Sequence, residues 1–238
     1  MLVLKPIAKI NSDFTTKFGI PRQSGLVKSQ LSTIVFEPEY RDANALRGLE
    51  EYSHIWLIWG FSEVKMEHWS PMVKPPRLGG NKRMGVFATR SPYRPNPIGL
   101  SCVKLVSIDK REGLGNVLTV SGADLMDGTP IYDIKPYLSF TDSHQDAENG
   151  FAGERLDYSL DVSFPDELLS IIPADKRDAL IESLAQDPRP AYITEPGIPF
   201  GFEYAGFDVR FKVADGVLSV YEIIKLSYKK SEKGIDKL

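Results

Sequence analysis

Apolar and polar residues alternate along this chain in short blocks separated by turn residues. Residues 158–164 (Y-S-L-D-V-S-F) and 207–213 (F-D-V-R-F-K-V) carry the period of two that marks a half-buried strand. Asp215-Gly216 then leads into a second apolar run at 218–226, which predicts a hairpin. Residues 2–10, 31–36, 117–120 and 131–138 read as further strands. The run 54–61 (H-I-W-L-I-W-G-F) is too apolar for a half-exposed strand and predicts burial on both faces. Helical spacing is confined to three places. A short helix is expected at 40–50, starting near Asp42. A second follows Pro165 through residue 172, and a third spans 174–186 with Ala179, Leu180, Ile181 and Leu184 on one face. Gly, Pro and Ser interrupt every period in 11–25, which reads as a loop. Residues 63–80, with Trp69, three prolines and Gly79-Gly80, predict a long irregular loop.

Many short strands with few helices between them predict a β-barrel or sandwich for residues 1–142. The polar stretch 143–154 reads as a linker, and 155–238 as a small α+β domain of a strand, helices and a hairpin. The fold class is thus mainly β with an α+β appendage.

Composition narrows the function without choosing it. The 238 residues have ordinary apolar and charged fractions, which disfavours disordered, collagenous and membrane classes. No run is long enough to span a bilayer, and residues 1–10 lack a signal peptide's continuous apolar core. A single cysteine, Cys102, fits a reducing compartment, so a cytoplasmic protein is expected. The net charge of −3 argues against general stickiness for nucleic acid. That average hides an asymmetry. From His68 to Ile108 there is no Asp or Glu, while Lys74, Arg77, Lys82, Arg83, Arg90, Arg94 and Lys104 all fall there. Such a region predicts a localised anionic partner, although a solvated basic face has the same composition.

Inside it, two apolar runs, 84–88 and 98–105, flank T-R-S-P-Y-R-P-N-P. Pro92, Pro95 and Pro97 each fix their own φ and restrict the residue before them, so the insert should be a stiff loop. It would hold Arg90, Tyr93, Arg94 and Asn96 in place, which suits an anionic, planar ligand such as a nucleotide. A proline-rich rim that only spaces two strands is the competing reading. A second Pro-stiffened segment, D-P-R-P-A-Y at 187–192, repeats the same chemistry, which a mere spacer does not predict. Other chemistries are set aside. There is no P-loop and no G-x-G-x-x-G after a strand. The three histidines, His54, His68 and His144, have no metal-ligand spacing, so no metal is expected. There is no G-x-S-x-G elbow, and Cys102 within an apolar strand reads as a structural thiol. Trp56 and Trp59 read as core, whereas Trp69 is placed to touch a ligand.

The stretch M-G-V-F-A-T-R-S-P-Y-R-P-N-P-I-G-L-S resembles the signature of the TsaA-like family, also called TrmO or YaeB. The resemblance extends to P-R-Q-S-G-L-V, R-G-L-E-E-Y-S-H-I-W, K-P-P-R-L-G-G-N, D-G-T-P-I-Y-D-I-K-P-Y and D-P-R-P-A-Y, and so covers nearly the whole chain. It implies an N-terminal β-barrel that binds S-adenosylmethionine, unlike the Rossmann methyltransferases, with a small C-terminal domain. It also implies a homodimer with its active site near the subunit interface. The implied reaction methylates N6 of N6-threonylcarbamoyladenosine at position 37, in the anticodon loop of a threonine tRNA. Carried over motif by motif, the cofactor pocket takes Gln23, Ser24 and Gly25, then Phe61 and Ser62, then Arg90 and Leu100, then Ser121, Gly122, Ala123 and Asp124. Ser24 often stands as Pro in relatives and Ser62 is variable, departures that leave the pocket intact if the contacts there run through the backbone.

A sulfonium methyl is already activated, which leaves the protein to align the acceptor and exclude water. N6 of the modified base is a poor nucleophile, so an acceptor for its proton is expected; Asp133, Tyr137 and Asp187 are the candidates. Arg94, Lys135 and Arg189 are expected at tRNA phosphates or the threonyl carboxylate, and Tyr93 or Tyr192 on a stacked base. Each of these could instead anchor its own loop. Two other classes share these features: a noncatalytic adenosylmethionine- or RNA-binding regulator, and a methyltransferase with another acceptor.

Overall fold

Burial alternates along strand β2, Leu31–Phe36, with Ser32, Ile34 and Phe36 turned inward. Its antiparallel neighbours are β1, Ala8–Asn11, and β7, Gly115–Ser121. The computed structural model describes residues 3–64, 68–75, 83–155, 158–190, 193 and 195–227. Strands β3, His54–Gly60, β6, Ile98–Arg111, and β8, Pro130–Pro136, complete a closed six-stranded barrel in the order β1-β2-β7-β6-β3-β8. The ring closes where β1 meets β8 through Ala8–Ile131 and Lys9–Pro130. Strand β6 pairs with β3 over its first half and with β7 over its second, and its register shifts between Leu105 and Ser107. A bulge at that point lets one long strand bend around the barrel. Ile10, Ile34, Ile55, Leu57, Leu118 and Ile131 fill the interior and are fully buried. Two short strands, β4 (Met72–Val73) and β5 (Met84–Gly85), pair outside the ring.

Beyond the short helix α1, Ser139–Asp142, lies a second core. Strands β10 (Phe200–Tyr204), β11 (Phe207–Ala214) and β12 (Val217–Lys225) form an antiparallel meander, with β9, Asp161–Ser163, added parallel to β12. Helices α2, Asp166–Leu169, and α3, Ala174–Ala185, lie between β9 and β10 in the chain. Ala179, Leu180 and Leu184 of α3 are buried, as their helical spacing predicts. The predicted hairpin stands: Asp215 (φ 51°) and Gly216 (φ 79°) both occupy the left-handed region that a tight turn of this kind requires.

Several expectations change. Residues 40–50 form no α-helix. Three short 3₁₀ turns, Pro38–Tyr40, Ala43–Leu46 and Leu49–Glu51, stand there instead, separated by extended Asp42 and left-handed Gly48. Strand β3 is not buried on both faces: Ile55, Leu57 and Trp59 face inward, while His54, Trp56 and Ile58 are half-covered on the outer surface. The strand expected at 2–10 begins only at Ala8, and the one at 158–164 contracts to β9.

The largest difference concerns residues 11–25, read from sequence as a loop, and the stretch that continues from them to Gln30. Phe14 and Val27 are buried in the second core, where the Phe14 ring meets Tyr204 edge-on at 5.4 Å. Burying one such ring is worth about 1.5–3 kcal/mol. A polar network backs it. The Tyr204 hydroxyl bonds Gln30 Oε1 (3.0 Å), and Gln30 Nε2 donates to Asp13 Oδ2 (3.1 Å). Lys176 Nζ reaches the same carboxylate oxygen at 2.7 Å, and Ser29 donates twice to Glu182. The segment is therefore a strap that joins barrel to appendage and fixes whatever it carries.

Candidate functional site

Inward positions of β6 run Gly99, Ser101, Val103, Leu105, so one hydroxyl interrupts an otherwise apolar face. Gly99 makes room for the partner of that hydroxyl. A Cβ there would lie 2.3 Å from the Trp59 ring, so the indole rests across the strand only because none exists. Trp59 Nε1 donates to Ser101 Oγ (2.9 Å), and Ser101 in turn donates to Asp124 Oδ1 (2.6 Å). Phe61, just past the end of β3, packs on Trp59 with ring centroids 4.4 Å apart. Burial pushes the Asp124 carboxyl above its ordinary value. The Ser101 bond, backbone N–H groups including that of Ser24, and the nearby Arg90 charge offset part of that rise.

Arg90 is held in turn by the strap, where its guanidinium donates to Gln23 Oε1. The Gln23 amide nitrogen bonds the Arg22 carbonyl at 2.6 Å, so the orientation of the side chain is fixed from both ends. Beside them two glycines bring backbone against backbone. Gly25 N–H donates to Gly122 O (2.8 Å), and a Cβ on Gly122 would stand 3.2 Å from Gly25 Cα. Both glycines have positive φ. Ser121 Oγ ties the same junction to Lys28 O (2.5 Å), Ala123 is buried beside it, and Ser62 is exposed at the turn after Phe61.

Of the residues expected at a cofactor, Gln23, Ser24, Gly25, Phe61, Arg90, Ser121, Gly122, Ala123 and Asp124 thus converge at one end of the barrel. Leu100 stands apart. It points to the outer face of β6, opposite Ser101, and is 55% exposed. There it shares a cross-strand row with Ile58 and Asp133, and the next row holds Cys102, Trp56 and Lys135. Asp133 is ion-paired to Lys135 (3.0 Å) and accepts from the Ile134 N–H. Tyr137 packs beside Trp56, with centroids 5.7 Å apart. Burial, with Asp142 nearby, pushes the Cys102 thiol up, as befits a structural thiol.

On the stiff loop, Tyr93 is 56% exposed, whereas Arg94 folds back to the carbonyls of Thr89 (3.0 Å) and Ser91 (3.4 Å). The guanidinium expected at tRNA phosphate therefore braces its own loop. Asp187 and Arg189 are likewise committed to each other through a two-pronged contact, Nε–Oδ1 at 2.8 Å and Nη2–Oδ2 at 2.9 Å, both side chains nearly buried. The Tyr158 hydroxyl adds a third bond to Asp187 (2.7 Å). Burial alone would raise this carboxyl, but Arg189 and Tyr158 outweigh it and hold the pKa below its ordinary value. A carboxylate with both oxygens engaged and its proton affinity lowered is poorly suited to take a proton. Tyr192 lies outside the described residues.

Sequence reasoning missed Arg22, Trp59 and Ser101 as members of this constellation. For Ser101 a signal existed, namely a hydroxyl at an inward position of an alternating strand. Among the described residues no cluster of His, Cys, Asp and Glu could hold a metal ion, and no helix is long and apolar enough to cross a membrane. A carboxylate, a guanidinium, a fixed amide, a close contact of two glycine backbones that leaves no side chain in the way and an aromatic ring together suit a small ligand that bears both charges and a planar base.

Comparison with known proteins adds the following. The model of the tRNA-methyltransferase O N-terminal domain matches residues 9–143, and that of the TrmO C-terminal domain matches 157–226. A tRNA (adenine(37)-N6)-methyltransferase of Escherichia coli (strain K12) is 42% identical over 225 residues, covering 91% of this chain and 95% of the relative. One from Eikenella corrodens is 44% identical over 174 residues, covering 73% and 97%. A crystal structure of TrmO from Pseudomonas aeruginosa superposes with a TM-score of 0.75 at 32% identity, covering 94% of this chain and 99% of that one.

Proposed function

This chain belongs to the tRNA-methyltransferase O family and is a tRNA (adenine(37)-N6)-methyltransferase; we propose that it methylates N6 of N6-threonylcarbamoyladenosine at position 37 of a threonine tRNA, with S-adenosylmethionine as donor. The observation that carries the donor reading is the convergence of Gln23, Arg90 and Asp124 beside the Gly25–Gly122 contact. When bound, S-adenosylmethionine supplies a methyl group already activated by its sulfonium centre. Asp124 offers an anion to the ligand's ammonium or sulfonium charge, and Arg90, steadied by Gln23, offers a cation to its carboxylate. Phe61 gives a half-buried ring for the adenine. Residues 1–142 bind the cofactor in this reading, and the C-terminal unit, beyond the 143–154 linker, buttresses the strap.

For the acceptor, the chain must hold N6 in line with the methyl group and take its proton. Asp133 is the better-placed base, since its carboxylate is half-exposed on the outer surface and its bond to Lys135 is a solvent-exposed one, while the Asp187 carboxylate is nearly buried in the grip of Arg189. Tyr137, beside Trp56 on the same face, can orient the base. Leu100 and Asp133 share the outer row of the β6-β3-β8 surface, along with half-covered Trp56 and Ile58. A second copy of the chain lying on that surface would cover the apolar row and bring Leu100 to the pocket of its partner, which is why we propose a homodimer. Exposed Tyr93 then faces the anticodon loop, with Lys135 at a phosphate. A tRNA substrate and a lone thiol both support a cytoplasmic location.

The test is nucleoside mass spectrometry of threonine tRNA incubated with purified protein and S-adenosylmethionine. Conversion of N6-threonylcarbamoyladenosine to its N6-methyl derivative is the expected result. Methylation of an unmodified adenosine 37 instead, with the threonylcarbamoyl form untouched, would overturn the substrate assignment.

A further inference from the structure

Arg22 joins two segments that lie far apart in the chain. Its Nη2 donates to the carbonyls of Asp187 and Arg189, each at 3.1 Å. Those carbonyls belong to a turn built around a strained residue, for Asp187 holds φ at 52°, in the left-handed region. The turn keeps this shape because its side chains lock it: Arg189 grips both oxygens of Asp187, the Arg189 N–H returns to Oδ1, and Tyr158 caps Oδ2. The carbonyls of the D-P-R turn therefore stand in fixed places, and a guanidinium reads both at once.

The other end of this contact is the cofactor cluster. The Arg22 carbonyl accepts the Gln23 amide nitrogen, which leaves Gln23 Oε1 turned toward Arg90, and Arg90 sits beside Asp124. A continuous chain of polar contacts thus runs from the C-terminal turn through Arg22 and Gln23 to the pocket. We propose that Asp187, Arg189 and Arg22 are positioning residues, forming a clasp by which the C-terminal unit holds the strap so that Gln23 presents Arg90 to the cofactor. None of the three touches the ligand in this role. The inference rests on the reading that the Gln23–Arg90–Asp124 cluster binds S-adenosylmethionine.

A double-mutant cycle on the full-length protein tests it, with S-adenosylmethionine binding followed by calorimetry for wild type, Arg22→Ala, Asp187→Asn and the double variant. Arg22→Ala leaves the Asp187–Arg189–Tyr158 lock itself in place, and thermal unfolding of each variant is followed beside the titration so that affinities are compared between folded proteins. Each single variant is expected to weaken binding about tenfold, the scale of one charged hydrogen bond. The double variant should lose no more than either alone, because both break one clasp, and Arg22→Lys should recover part of the loss. A purely structural role would lower the unfolding temperature while leaving the affinity of the folded protein unchanged. Folded Arg22→Ala with wild-type affinity overturns the proposal, as do losses that multiply in the double variant. Wild-type protein that fails to bind S-adenosylmethionine at all overturns the cofactor reading, and this inference with it.

Discussion

Ser101 donates to Asp124 across 2.6 Å while its oxygen accepts from Trp59, so the anion of the pocket is anchored to the barrel's core tryptophan. The barrel interior and the ligand pocket are one hydrogen-bonded unit, and the carboxylate is rigid before any ligand arrives. Preorganisation of this kind lowers the ordering cost of binding.

Asp124 has two opposed effects that can be measured separately. Its folded-state pKa lies above the ordinary 3.8, chiefly through burial. The stability it contributes is therefore fully present below that value and lost as pH rises through the folded pKa. At neutral pH the Asp124→Asn protein should unfold at higher denaturant concentration than wild type. Its affinity for S-adenosylmethionine should nevertheless fall by about 2 kcal/mol, a charge-assisted bond's worth. Wild-type affinity should also weaken on acidification at a pH above 3.8, and this pH dependence should vanish in the variant.

The opposite sign applies at Asp187, whose folded pKa is depressed. Its stabilisation is present above the ordinary value of 3.8 and is lost as pH falls through the lower folded pKa. Asp187→Asn should cost about 2–4 kcal/mol at neutral pH, because it strands the nearly buried Arg189. The difference from wild type should shrink in acid, as urea melts at neutral and acidic pH would show.

Two glycines at the pocket should resist even alanine. Gly99→Ala drives a methyl into the Trp59 ring and should destabilise by about 1–3 kcal/mol, with a change in tryptophan fluorescence as the indole leaves Ser101. Gly122→Ala meets both a φ of 79° and the Gly25 backbone. It should cost about 1–2 kcal/mol from the backbone alone, and should lower cofactor affinity as the two loops part.

On the stiff loop, neighbours should separate by salt dependence. Tyr93→Ala should weaken tRNA binding by about 1–3 kcal/mol through lost stacking, at every salt concentration. Arg94→Gln, which removes a loop brace, should leave the salt slope of tRNA binding unchanged. A residue on a phosphate would reduce that slope by about 0.7–0.9. A reduced slope in Arg94→Gln would return that side chain to the nucleic acid.

What could be read from the sequence was local. Alternation located β11 and, with Asp215-Gly216 after it, the β11–β12 hairpin, because a period of two survives wherever one face of a strand is buried. The same signal was present in Phe200, Phe202 and Tyr204 of β10 and went unread beside the turn residues around it. Gly, Pro and Ser in 11–25 masked Phe14, whose burial depends on a core formed nearly two hundred residues later in the chain. The cofactor motifs were legible by resemblance, but their linkage was not. Arg22 and Asp187 are 165 positions apart, and no spacing rule connects a strap guanidinium to the carbonyls of a distant turn. Arg94 and Arg189 read alike from sequence, as ligands for an anion or as anchors of their own loops; in the fold each bonds its own segment.

The most direct measurement is a crystal structure of this protein with S-adenosylhomocysteine, the product form of the donor. Ligand density at the barrel end, with Asp124 and Arg90 within hydrogen-bonding distance of its amino-acid moiety and the Gly25–Gly122 backbones against it, is the predicted result. Density elsewhere, for instance in the 280 Å³ cavity between Tyr158 and Gly216, with Asp124 and Arg90 free of ligand, would contradict it.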